Sequence, residues 1–175
     1  VVQDYKNMWD VANLLLQKTP SNNFTATMKL TFTPNQKNKG ERTGLIVMGR
    51  DYGLFLENTD KGLTLSQVEC KRADKGKPEQ SNASVSLTQN TVYLKVKFKC
   101  DGKKIKASEG GHDLLVICDF SYSLDGKKYQ PLGNPFQARE GQWIGTKIGT
   151  FCTRPAIVTN DGGWVDVDWF RIVKK

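Results

Sequence analysis

The sequence predicts an all-β chain folded as an antiparallel two-sheet β-sandwich. Three observations carry that prediction. Short runs of strict apolar/polar alternation recur along the 175 residues. Asp-Gly and related turn signals separate them. No segment shows the 3.6-residue apolar periodicity of an amphipathic helix clearly enough to compete. The length suits one domain with a substantial core, and 38% hydrophobic with 25% charged residues is the balance of a soluble globular chain.

Residues 1–8 are expected to be a linker remnant and 9–175 a single sandwich module. The chain opens Val1-Val2 rather than with Met, which predicts removal of something upstream. Val11 to Lys18 reads equally as a short helix or a first strand before Thr19-Pro20. Phe24 to Thr33 is the clearest strand, with every even position apolar and every odd position Thr or Lys. Leu45 to Met48 is wholly apolar, as in a strand covered on both faces. Ala83, Val85 and Leu87 form the next inward set, followed by Val92, Leu94, Val96 and Phe98. Leu114, Val116, Cys118, Phe120 and Tyr122 continue the series. Ile144, Thr146, Ile148, Thr150 and Cys152 form another set, and Val165, Val167 and Trp169 the last. Turns are expected at Asp60-Lys61-Gly62, Asp101-Gly102, Asp125-Gly126 and Asn160-Asp161-Gly162-Gly163.

Net charge is +8, from 26 Lys and Arg against 18 Asp and Glu. The lysines are spread along strands, as in Lys95, Lys97 and Lys99, where they solubilise an exposed face. No nucleic-acid motif accompanies them, and no apolar run is long enough to cross a bilayer as a helix. Neither nucleic acid nor membrane is therefore expected as a partner. Cys70, Cys100, Cys118 and Cys152 stand alone in strand-like runs, outside any C-x-x-C pair, as buried thiols or as disulfide halves of unassigned pairing. His112 is the only histidine, which excludes a multi-histidine metal site. No cofactor is expected, although structural calcium is compatible with the composition.

Glycoside hydrolysis by the common route needs two carboxyl groups flanking the bond. The nearest candidates are Asp166 and Asp168 in "GGWVDVDWFRI", two apart on one strand. They read either as an acid/base pair or calcium ligands, or as structural acids facing loop amides and solvent. Aromatic placement is more informative. Trp143, Gly145, Lys147, Gly149 and Phe151 occupy the register opposite Ile144 and Ile148, so a ring beside two glycines leaves room above the sheet. Sugars stack their C–H faces on such rings. Tyr93, Trp164, Tyr52 and Asp166 complete the candidate carbohydrate-binding set, with Trp143 and Lys147 at its head. The alternative is that these aromatics fill a second core layer or meet a neighbouring domain.

Five segments together carry a family resemblance. They are "NLLLQKTPSNNFTATMKLTF", "GERTGLIVMGRDYG", "FSYSLDGKKYQPLG", "REGQWIGTKIGTFC" and "GGWVDVDWFRI". In this order and spacing the chain resembles the C-terminal module of family 43 glycoside hydrolases, the β-xylosidases and α-L-arabinofuranosidases. The resemblance runs from about Trp9 to Ile172 and implies a concanavalin A-like jelly roll. It implies a catalytic five-bladed propeller upstream in the same chain as one partner, and plant cell-wall oligo- or polysaccharide as another. It implies no catalytic residue here. The cysteines and the positive charge do not match the family pattern. Two other readings stay open: a stand-alone jelly-roll glycosidase using Asp166, Asp168 or Glu41, and a lectin-like or polyanion-binding surface protein.

Overall fold

Alternation with apolar residues on one side of each strand requires a second layer to cover that side, and two stacked sheets supply it. The computed structural model describes residues 5–59, 61–107, 110–141, 145–154 and 161–174. The described strands in chain order are β1 (Leu14–Lys18), β2 (Phe24–Thr33), β3 (Arg42–Met48), β4 (Tyr52–Thr59), β5 (Gly62–Cys70), β6 (Gln80–Ser86) and β7 (Thr91–Lys99). There follow β8 (Lys104–Lys106), β9 (His112–Leu114), β10 (Val116–Ser123), β11 (Gln130–Pro131), β12 (Phe136–Ala138), β13 (Lys147–Thr153) and β14 (Trp164–Lys174). One sheet has the order β1-β13-β3-β4-β5-β6. The other runs β11-β10-β7-β2-β14, with β12 also on β10, and β8 and β9 form a separate ribbon. Every described pairing between strands is antiparallel. The expected sandwich is the observed one.

The main core lies between the sheets. Phe24, Ala26, Met28, Leu30 and Phe32 of β2 meet Val92, Leu94, Val96 and Phe98 of β7 and Cys118, Phe120 and Tyr122 of β10, facing Leu45, Val47, Leu56, Leu65 and Ile148 of the other sheet. Phe24 and Phe98 stack with ring centroids 4.1 Å apart. Leu114 departs from its expected inward place, because the β8–β9 ribbon leaves it exposed.

A second, smaller core covers the outer face of the six-stranded sheet. Ile46 and Met48 of β3, Tyr52 of β4, Val68 and Cys70 of β5 and Phe151 of β13 are roofed by Met8 and Ala73, with Tyr5, Trp9, Val11, Leu14 and Leu16 against them. This explains why β3 is apolar at consecutive positions: both its faces are buried. It also corrects the linker boundary. Asn7 and Met8 are fully buried, and Asn7 caps a 3₁₀ turn, Met8–Asp10, by accepting from the Trp9 amide at 2.8 Å. Asn7 Nδ2 donates to the carbonyls of Ala73 and Lys77 at 3.1 and 3.0 Å. Residues 5–8 are therefore part of the sandwich. The ambiguous segment after them resolves into that 3₁₀ turn and strand β1. All four cysteines are free thiols.

Candidate functional site

The sequence-predicted residues do not share one surface. Trp143, with Ile144, lies outside the described residues, as do Asp60 and Asn160 of two expected turns. Tyr52 is fully buried in the second core, so it cannot present its ring to a sugar. Its hydroxyl donates to the Glu79 carboxylate and accepts from the Met8 amide at 2.9 Å. Burial, then Glu79, pushes the Tyr52 phenol far above its ordinary range. Arg42 holds Glu79 from the other side with two bonds of 2.9 and 3.1 Å. Lys147 begins β13, opposite Lys18 and Met48 in the six-stranded sheet. The space expected above Gly149 is filled: a Cβ there would lie 1.9 Å from the Leu15 carbonyl oxygen.

Tyr93, Trp164 and Asp166, by contrast, come together on the outer face of the second sheet. Strand pairing sets this face out as rows. Thr33 and Trp164 pair at one end, followed by Thr91, Thr31 and Asp166. The next row is Ser123, Tyr93, Lys29 and Trp169, and the one after it Ser121, Lys95, Thr27 and Arg171. Trp164 is 58% exposed. The Tyr93 and Trp169 rings approach to 6.2 Å at an interplanar angle of 51° across Lys29.

Trp169 is the notable addition to this face, because simple alternation assigns it to the core. A β-bulge between Val167 and Trp169 inserts one residue and reverses the phase of the strand. After it Phe170 and Ile172 point inward against the main core, and Trp169 and Arg171 point out. The doublet Asp168-Trp169 between Val167 and Phe170 is the sequence signal of that slip. Asp168, at the bulge, accepts from Lys29 Nζ at 3.1 Å. Glu41 is also committed: it is buried, and it accepts from the Asn35 amide at 2.6 Å and the Gly163 amide at 2.8 Å. Among the described residues no group of three or more His, Cys, Asp and Glu converges as a metal cage would.

The loop after β10 walls one side of the face. Gly126 has φ +73°, and a Cβ on it would lie 2.8 Å from Tyr93 Cε1, so the turn sits directly on the Tyr93 ring. Ser123 Oγ donates to Asp125 Oδ1 at 2.8 Å and accepts from the Gly126 amide at 2.9 Å. The Lys128 and Lys127 amides, then Ser123, bond to the Asp125 carboxylate and lower its pKa to about 2. This turn brings Tyr129 under Lys95, whose Nζ lies 3.2 Å from the ring centroid. Arg171 lies over Trp169 with Cζ 4.4 Å from the ring centroid.

The chain matches the family described as the β-xylosidase C-terminal concanavalin A-like domain over residues 2–173. A β-xylosidase of Formosa agariphila is 37% identical over 51 residues, covering 29% of this chain and 8% of that protein. Among solved structures, a bifunctional GH43-CE protein of Bacteroides eggerthii superposes with a TM-score of 0.76 at 23% identity, over 99% of this chain and 20% of that one. A GH43 protein of Bacillus licheniformis gives 0.68 at 19% identity, over 99% and 32%. A xylan β-1,4-xylosidase from Bacillus halodurans gives 0.70 at 16% identity, over 99% and 31%. The chain thus spans a third or less of each of these structures. At these identities the structural likeness speaks for the fold.

Proposed function

The chain belongs to the family of β-xylosidase C-terminal concanavalin A-like domains, and from that premise we propose that it is the non-catalytic accessory module of a family 43-type glycoside hydrolase. In this reading it supports a catalytic propeller in the same chain and holds xylan-type plant polysaccharide on the outer face of the β11-β10-β7-β2-β14 sheet. The observation that carries the sugar-binding part is the exposed Trp164 on the same face as the Tyr93–Trp169 ring pair. The exposed Trp164 ring suits the C–H face of a sugar unit, with Thr31, Thr91 and Asp166 in the adjoining row to bond hydroxyls. The non-catalytic part is supported by the engagement of Asp168 with Lys29 and of Glu41 with backbone amides.

The test is an NMR titration of the chain with xylotetraose at millimolar concentration, alongside an assay on aryl xylosides. Shifts at the Trp164 and Trp169 indole N–H signals are expected, with Trp164→Ala weakening the binding and no hydrolysis detected. Unmoved indole signals would leave only the scaffolding role. Hydrolysis abolished by Asp168→Asn in a folded variant would make the chain a glycosidase.

A further inference from the structure

Three of the lysines on this outer face are already engaged. Lys29 pairs with Asp168, Lys99 pairs with Asp119, and Lys97 is also engaged. Arg171 and Lys95 differ. Neither makes a hydrogen bond or ion pair among the described residues, and each lies against an aromatic ring, Arg171 on Trp169 and Lys95 on Tyr129. The two cations are also in register. Thr27 pairs with Lys95 on one side and Arg171 on the other, so the backbones of the two cationic residues flank one short side chain across about 10 Å, two strand spacings. The adjoining row holds the Tyr93 and Trp169 rings.

A guanidinium that stacks on a ring uses its face and keeps its edge N–H donors available, and that edge matches a carboxylate bidentately. The Lys95 ammonium has lost part of its hydration to burial, which holds its pKa below that of an ordinary lysine and leaves it more to gain from an anion. We propose that the Thr27 slot between Arg171 and Lys95 is a subsite for a carboxylate-bearing sugar, so that the polysaccharide bound here is an acidic, uronate-substituted chain. This rests on the sugar-binding reading above and narrows it. Six residues of β2, about 20 Å, separate Thr27 from Thr33, the partner of Trp164, so several sugar units are needed to reach both. Asp119, Asp166 and Asp168 interrupt the positive charge on the same face. A polyphosphate backbone would meet those acids, whereas a single carboxylate on an otherwise neutral chain would not.

The experiment compares xylotetraose with the same backbone carrying one glucuronic acid, titrated against the chain by calorimetry at low salt, with heparin and duplex DNA as further arms. The acidic oligosaccharide is expected to bind about tenfold more tightly, the size of one charge-assisted contact, and to lose that advantage as salt rises. Arg171→Gln and Lys95→Gln should each bring it toward the affinity of the neutral chain, and Arg171→Lys should recover part of the difference. Thermal melts of the variants establish that they are folded. Equal affinity for the two oligosaccharides, or an acidic preference untouched by both glutamine variants, overturns this proposal and leaves the neutral-sugar reading standing. Binding of neither overturns both. Binding of heparin or DNA at least as tightly as the uronate chain overturns the sugar selectivity in favour of a general polyanion surface.

Discussion

Replacing Tyr52 by Phe tests whether the first residues are an integral layer of the sandwich. The ring stays, so the packing of the second core is retained, and only the hydroxyl is lost. That hydroxyl accepts from the Met8 amide and donates to Glu79. Met8 is fully buried, so its amide loses its partner without access to water, at a cost of about 1–3 kcal/mol. Glu79 keeps both bonds from Arg42 and is partly exposed, so its loss is smaller. The sum is about 2–3 kcal/mol, or a fall in Tm of roughly 4–12 °C for a chain of this size. Differential scanning calorimetry reads the total, and amide exchange locates it: residues 5–11 should lose protection well before the strands of the main core. A Tyr52→Phe protein that melts with the wild type and protects residues 5–11 equally would refute the claim that this bridge fastens the N-terminal segment.

Gly126→Ala should cost roughly 1–2 kcal/mol, because alanine is strained at the left-handed φ of +73° and its methyl meets the Tyr93 ring. Denaturant melts read that loss, and a change in tryptophan fluorescence should accompany it as Tyr93 shifts against Trp169; an unchanged spectrum and midpoint would contradict the packing described. For Asp125 the folded pKa of about 2 lies below the ordinary value of about 3.9, so its contribution is fully present above about pH 4 and is lost as pH falls through 2. NMR titration of the Lys127 and Lys128 amides should show a midpoint near 2, absent in Asp125→Asn; a midpoint near 4 would show that the turn does not hold the carboxylate ionised.

Much of the architecture was legible because strand alternation is a local property. The even and odd positions of β2 already state which side chains are buried, and the apolar run of β3 states that it has cover on both faces. The resemblance in five ordered segments identified the family, which the match over residues 2–173 shows. The candidate surface was only partly legible. Tyr93, Trp164 and Asp166 were placed on an outward register correctly, since each lies in a strand whose phase its neighbours define. Tyr52 was misplaced because the residues that bury it, Met8 and Ala73, are distant in sequence. Lys147 was grouped with the others although its strand joins the opposite sheet.

By itself the sequence determined the antiparallel strands, their turns and the inward face of most of them, because side-chain direction follows from a period of two residues. Only the tertiary structure decided which strands share a sheet, what lies over each outer face, and where the period slips. Pairing partners such as β1 with β13 and β2 with β14 are more than a hundred residues apart, so no local pattern encodes them. The single extra residue in β14 moves Trp169 from its expected place in the core to the outer face, two residues before Arg171. One bulge therefore sets the cations and rings of the candidate site side by side.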